Sequence, residues 1–110
     1  MTRDGGSGGP QWIGILGGGQ LGRMLAIAAA QLGLKTHIYA PDANTSPAGE
    51  VATCTTSASY DDMTALRAFA AGMDAVTSEF ENVPAATMEV IGKSCLASPG
   101  AAALHAAQHR

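Results

Sequence analysis

The chain has 110 residues, of which 46% are hydrophobic and 14% are charged, and its formal net charge is -3. A chain of this length is expected to form one globular domain, because it is too small for two substrate-binding lobes. Its 6 Lys and Arg residues do not cluster, which argues against a nucleic-acid partner or a polybasic membrane anchor and favours small-molecule partners.

The first predicted elements are a leader, a strand and a helix. Residues 1–11 are mostly small or polar and predict a flexible leader, followed by a domain over residues 12–110. The apolar run over residues 12–16, ended by three glycines, predicts a buried strand. Large apolar residues then recur at helical spacing from Leu21 to Leu32, and Gly33 stands where a left-handed C-cap is expected. We expect this helix to pack an Ala-rich face on a sheet.

The middle of the chain predicts two further strands, a loop and a helix. Residues 35–39 alternate and form the second strand, and the prolines and turn residues of the next segment, residues 41–47, predict a loop without regular structure. A short third strand is expected within residues 51–57. The pair Asp61 and Asp62 then opens a helix that Gly72 closes.

The last part of the chain completes an alternating pattern. Residues 75–77 and 95–97 predict the fourth and fifth strands, with a short helix from Pro84 to Ile91 between them and another helix from Gly100 onward. Strands that alternate with helices in this way predict a parallel sheet with right-handed crossovers. The predicted fold class is therefore α/β, a doubly wound parallel sheet of the Rossmann-like kind.

Residues 17–22 read GGGQLG, which fits the spacing Gly-x-Gly-x-x-Gly between a strand and a helix. Gly17 would permit the tight turn, Gly19 the approach of a ligand to the backbone, and Gly22 close packing of helix on strand. The free amides at the helix start favour an anion such as a phosphate. The alternative is that these glycines serve strand-to-helix packing alone.

Acidic residues follow two of the predicted strands. Asp42 lies about 20 residues beyond Gly22, where dinucleotide-binding folds carry a ribose-binding acid, although it falls in the loop and could instead stabilise a turn. Glu79 and Glu81 follow the fourth strand on one side of an extended segment, with Asn82 beside them. Glu79 is the candidate to face the ligand crevice, whereas Glu81 and Asn82 could equally cap the next helix.

The histidines and cysteines predict no metal centre and no catalytic group. His105 and His109 share a helical face but lack a third ligand, and His37 is expected to be a partly buried, hydrogen-bonded strand residue. Cys54 and Cys95 lack metal-type spacing and are expected to be reduced thiols in the core. The absence of an export signal or a span-length apolar stretch indicates a cytoplasmic protein.

Residues 13–26, IGILGGGQLGRMLA, resemble the opening of the 5-(carboxyamino)imidazole ribonucleotide synthase family of the ATP-grasp superfamily. Gln20, Arg23 and Met24 make this resemblance more specific than the glycines alone. Later blocks are similar to the same family in the same order, namely residues 39–42, 47–48, 58–62 and 78–84. The resemblance covers residues 13–110 and implies a pre-ATP-grasp domain.

The resemblance implies an ATP-dependent ligase that carboxylates 5-aminoimidazole ribonucleotide with bicarbonate, through a carboxyphosphate, in purine biosynthesis. It implies ATP and Mg²⁺ as cofactors, which later ATP-grasp domains would bind, so the chain alone is expected to be inactive and to hold no cofactor tightly. Gly19, Gln20, Leu21 and Glu79 would border the ribonucleotide, and Arg110 would reach ATP. Relatives usually carry Asp where this chain has His109. Members of the family are commonly dimers, so a homodimer is one expected assembly.

Two other functions remain open from the sequence. A nicotinamide dinucleotide-binding domain is supported by the glycine spacing and Asp42 but opposed by the residues that follow Gly19 and by Pro41. A non-catalytic nucleotide-binding or interaction module is the other alternative. Titration with NAD would distinguish the first of these from a ribonucleotide-binding domain.

Overall fold

Five parallel strands form one sheet in the computed structural model, which describes residues 11–78, 85–92 and 96–97. The strands are β1 (Trp12–Leu16), β2 (Lys35–Ala40), β3 (Cys54–Ser57), β4 (Ala75–Ser78) and β5 (Leu96–Ala97), and the helices are α1 (Gln20–Gln31), α2 (Met63–Ala71) and α3 (Ala85–Gly92). The strand order is β3-β2-β1-β4-β5. The predicted α/β, doubly wound class is therefore confirmed.

The two faces of the sheet bury alternate residues of each strand. Ile13 and Ile15 of β1 pack with Ala26 and Ala29 of α1 on one face. The other face buries a cluster shared by three strands and the helices α2 and α3, namely Leu16, Tyr39, Leu66, Phe69, Ala70, Met73, Val76 and Ile91. Because strand side chains alternate between faces, this division follows from the sequence of each strand. Each face is thus covered by helix, as parallel sheets require.

Helix α1 ends as predicted and, as expected, packs its small residues on the sheet. Gly33 has φ 81°, and the amides of Gly33 and Leu34 donate to the carbonyls of Ala30 and Ala29, which is a Schellman ending. The residues that face the sheet are small, namely Gly22, Ala26 and Ala29. The large apolar residues whose spacing predicted the helix are largely exposed, with Leu21 51%, Met24 65% and Leu32 44% accessible. Close approach of helix to sheet selects small side chains at the contact.

Two further expectations are corrected by the structure. The segment after β2 contains a short 3-10 helix, Ala43–Thr45, in which the Thr45 amide donates to the Asp42 carbonyl over 3.0 Å. A single turn of this kind fits between the two prolines that exclude longer elements. Cys54 is exposed, not in the core, because β3 is the edge strand of the sheet. Cys95 lies outside the described residues.

The connection from β3 to α2 is held by specific polar contacts. The Asp62 carboxylate accepts from the Ala65 amide over 3.0 Å and caps α2, as the acidic pair predicted. The buried Tyr39 hydroxyl donates to the Ser59 carbonyl over 2.6 Å. Within the described residues, no helix is long and apolar enough to cross a membrane.

Candidate functional site

The candidate site lies at the carboxyl ends of β1 and β4. These strands are neighbours, with Leu16 paired to Ser78, and β2 flanks β1 on its other side. From β1, the sheet grows on one side through β2 and β3 and on the other side through β4 and β5. The boundary between β1 and β4 is therefore the topological switch point of the sheet. Open α/β sheets bind ligands in the crevice at that point.

The Gly-rich turn leaves β1 at this crevice. Gly17 adopts φ 119°, a conformation that L side chains rarely reach, and its amide donates to the Tyr39 carbonyl over 2.9 Å. The tight turn predicted for Gly17 is thus confirmed. Gly22 is buried on the sheet-facing side of α1, which agrees with the close packing predicted for it.

The three predicted ligand residues of this turn lie together at the start of α1. Gly19 is the N-cap residue, half-buried, with φ -79° and ψ -163° and no side chain to cap the helix. Gln20 and Leu21 follow in the first turn and are exposed. The first amides of a helix make no bond within it and carry the positive end of its dipole. This helix start, which has no acidic residue in its first turn, is suited to an anionic group.

The structure describes the chain only up to the end of β4 at this edge of the sheet. Ser78 is the last residue of β4 and lies beside Leu16. Glu79, Glu81, Asn82 and Arg110 lie outside the described residues. Their assignment to the ribonucleotide, to helix capping or to ATP remains a prediction.

Asp42 does not occupy the place that a ribose-binding acid needs. Strand β2 ends at Ala40, and Asp42 stands two residues later, exposed, at the start of the 3-10 turn. Its carbonyl accepts from the amide and the hydroxyl of Thr45, at 3.0 and 3.2 Å. Asp42 therefore lies in a turn, as the alternative interpretation expected, but its bonds there are made by the backbone carbonyl and its side chain does not cap the 3-10 helix.

His37 is a structural residue, as predicted. Its Nε2 lies 2.7 Å from the Thr56 hydroxyl on β3, and its ring meets Phe69 edge-on at 4.9 Å between centroids. Burial lowers the pKa of His37 below its ordinary value, since a charged imidazole loses hydration there. Among the described residues, no three His, Cys, Asp or Glu side chains gather as a metal site. His105 and His109 lie outside that part of the chain.

The structure adds one contact surface that the sequence did not reveal. The segment of residues 43–50, here called the clasp loop, packs over the Gly-rich turn, and its Ala48 amide donates to the Gly18 carbonyl over 3.0 Å. An exposed ion pair between Arg23 and Glu50, 3.0 Å long, also joins the loop to α1. Residues 47–48 were matched to the family by sequence, but nothing in their pattern indicated this contact.

Comparisons with known proteins identify the same domain type. Residues 11–108 match the family model for the ribonucleotide synthetase preATP-grasp domain. N5-carboxyaminoimidazole ribonucleotide synthase from Brucella melitensis is 49% identical over 98 residues, covering 89% of this chain and 27% of that protein. The solved ADP complex of purK, an N5-carboxyaminoimidazole ribonucleotide synthetase, has a TM-score of 0.76 at 40% identity, covering 87% of this chain and 26% of that one.

A second solved structure is relevant for its ligands. The N5-carboxyaminoimidazole synthase of Aspergillus clavatus, in complex with ADP and 5-aminoimidazole ribonucleotide, matches with a TM-score of 0.69 at 31% identity. That match covers 87% of this chain and 26% of that one. The present chain therefore spans about a quarter of the length of these relatives.

Proposed function

Since this chain belongs to the ribonucleotide synthetase pre-ATP-grasp domain family, we propose that it supplies the ribonucleotide-binding crevice of an N5-carboxyaminoimidazole ribonucleotide synthase. The complete enzyme would convert 5-aminoimidazole ribonucleotide, bicarbonate and ATP to the N5-carboxylated product, with Mg²⁺ on the ATP phosphates. The observation that carries the proposal is the Gly-rich turn at the switch point of the sheet, in a chain that matches relatives with this activity.

Each proposed ligand residue has a defined task. The amides at Gly19, Gln20 and Leu21 would receive an anionic group of the ribonucleotide, because they stand at the positive end of α1. Glu79 would accept a hydrogen bond from a substrate amine or hydroxyl. Arg110 would contact ATP, whose main contacts and carboxylation groups would come from ATP-grasp domains. This division of labour assigns substrate binding, not chemistry, to residues 12–110.

Direct binding tests the proposal on the chain itself. In the ¹⁵N-labelled chain, 5-aminoimidazole ribonucleotide should shift the amide signals of Gly19, Gln20 and Leu21 and leave that of Gly72, at the end of α2, unchanged. The variant Gly19→Val should lose this response. Gly19 has an extended backbone that other residues also adopt, so the variant tests the space beside the backbone and not strain. Saturable shifts with NAD, and none with the ribonucleotide, would instead favour the dinucleotide-binding alternative.

Turnover tests the assignment to the larger enzyme. The chain alone should form no ADP above background from ATP, Mg²⁺, bicarbonate and the ribonucleotide. A chimaera in which residues 11–108 replace the matching segment of the Brucella melitensis enzyme should be active. ADP formation by the chain alone, or a folded chimaera without turnover, would contradict the proposed role.

The same chimaera tests Glu79. Glu79→Gln should raise the KM for the ribonucleotide or lower kcat by roughly ten- to hundred-fold, because a charge-assisted hydrogen bond contributes about 1.5 to 3 kcal/mol. The matched control Glu81→Gln should have a smaller effect. If Glu79→Gln altered the ATP dependence alone, or if Glu81 proved more sensitive, the placement of the ribonucleotide beside Glu79 would be wrong.

A further inference from the structure

The clasp loop meets the Gly-rich turn at Gly18. A Cβ atom built on Gly18 would lie 2.5 Å from both the Cβ and the Oγ of Ser46, and the next nearest atom is the Cβ of Ala40 at 3.9 Å. Gly18 is not among the glycines with positive φ. The backbone at this position therefore tolerates a side chain, and Ser46 alone excludes one.

Ser46 also fixes the shape of the clasp loop. It is 3% exposed, its hydroxyl donates to the Ala43 carbonyl over 2.8 Å, and the same oxygen accepts from the Gly49 amide over 3.1 Å. A Cβ on Gly49 would lie 2.0 Å from the Ala43 carbonyl oxygen. The hydroxyl thus bonds both ends of the tightly folded clasp loop. These bonds restrict movement of the loop relative to the Gly-rich turn.

Two bonds transmit this geometry to the ligand residues. The Ala48 amide holds the Gly18 carbonyl at 3.0 Å, and the Gly19 carbonyl accepts from the Arg23 amide at the same distance inside α1. Gly18 is therefore held by the clasp loop, and Gly19 is held by the first turn of α1. A small displacement of Gly18 would rotate the peptide that carries the Gly19 amide.

We propose that Ser46 is a positioning residue, which acts through the clasp loop and Gly18 to set the Gly19 backbone for ribonucleotide binding. The inference rests on the proposed function, because it concerns the same crevice. Ser46 itself is buried beside Gly18, so its proposed action is indirect. Sites whose supporting shell is displaced by about 1 Å can lose on the order of a hundred-fold in activity, so a buried support of this kind is expected to matter.

A cycle of three variants tests the proposal in the intact chain. Gly18→Ala should weaken ribonucleotide binding by about ten-fold or more, since the added methyl displaces the turn from Ser46. Ser46→Gly should weaken it less, through loss of the loop's internal bonds. In the double variant Gly18→Ala/Ser46→Gly, the space vacated at residue 46 should accept the methyl, and binding should recover relative to Gly18→Ala.

Ser57→Ala is the matched control. The Ser57 hydroxyl also bonds the clasp loop, donating to the Asn44 side chain over 3.0 Å, but this contact is exposed. Its removal should change the ribonucleotide Kd less than two-fold. All affinities are measured by NMR titration at a temperature at which circular dichroism shows each variant folded.

The amide signals of the ligand-free variants separate this inference from the proposed function. The Gly19 signal should move in Gly18→Ala and return toward its original position in the double variant. If it did not move, or if the two substitutions were simply additive in their effect on the Kd, the positioning role would be overturned. If Gly19 moved and recovered as expected but the unaltered chain bound no ribonucleotide, the effect of Ser46 on the Gly19 backbone would stand and the proposed function would fail.

Discussion

Gly14, in the middle of β1, offers a quantitative test of how the α2 face of the sheet is packed. A Cβ on Gly14 would lie 2.5 Å from Phe69 Cζ and 3.0 Å from Met73 Cγ. Phe69 cannot easily move aside, because its ring is held between His37, at 4.9 Å between centroids, and Tyr39, at 5.2 Å. Overpacking of this kind costs about 1 to 3 kcal/mol.

An opposing effect reduces the net change for Gly14→Ala. Replacing glycine restricts the unfolded chain, which stabilises the folded state by about 0.4 to 1 kcal/mol. The expected net loss is therefore about 0 to 2.6 kcal/mol in the free energy of unfolding, measured by urea denaturation followed by circular dichroism. Gly72→Ala is the matched control, since a Cβ there meets nothing within 4 Å and its φ is -96°. This control should be neutral or slightly stabilised.

Two results would refute this reasoning. Gly14→Ala could prove as stable as the control Gly72→Ala, in which case the Phe69 ring is less constrained than its neighbours indicate. Alternatively, adding Phe69→Leu to Gly14→Ala could destabilise the chain by the full sum of the two single effects. Residues in contact are expected to couple, so the double variant should lose less than that sum.

Three further substitutions or conditions address stability through polar groups. Burial lowers the His37 pKa below 6.5, so the unfolded state binds a proton at this residue before the folded state does as the pH falls. The urea midpoint should therefore decline below about pH 6.5, and His37→Gln should weaken that decline. Tyr39→Phe should cost about 1 to 2 kcal/mol in the same assay, since it leaves the Ser59 carbonyl without its 2.6 Å donor. Thr77→Val should be neutral or stabilising in thermal unfolding, because the buried Thr77 hydroxyl has no hydrogen-bond partner in the described part of the chain.

Local sequence signals predicted the elements that frame the site. The run over residues 12–16, ended by three glycines, predicted the position of β1. The Asp61-Asp62 pair predicted the start of α2, because caps and breakers act within a few residues. Gly17 was likewise assigned to the tight turn that its positive φ confirms. The doubly wound class followed from the alternation of strands and helices.

Other features depended on contacts between distant residues and were not predictable in the same way. The Ala-rich face of α1, with Gly22, Ala26 and Ala29, packs on the sheet as expected, but the exposure of the Leu and Met residues whose spacing predicted the helix was not foreseen. Hydrophobicity alone ranks such small residues below leucine. The contact between Ser46 and Gly18 has no periodic or motif signature, because it arises only when the clasp loop folds back over the turn.

The order of strands in the sheet has a consequence for the synthesis of this chain. Strand β1 pairs on one side with β2, which leaves the ribosome soon afterwards, and on the other with β4, which follows only after the clasp loop, β3 and α2. Local pairings form earlier than distant ones. We therefore expect nascent chains released before residue 75 to carry a formed Gly-rich turn with an open flank, protected from proteolysis over β1 and β2 but without the complete crevice proposed to bind the ribonucleotide. Retention by such a short nascent chain would show that the crevice needs no wall from β4.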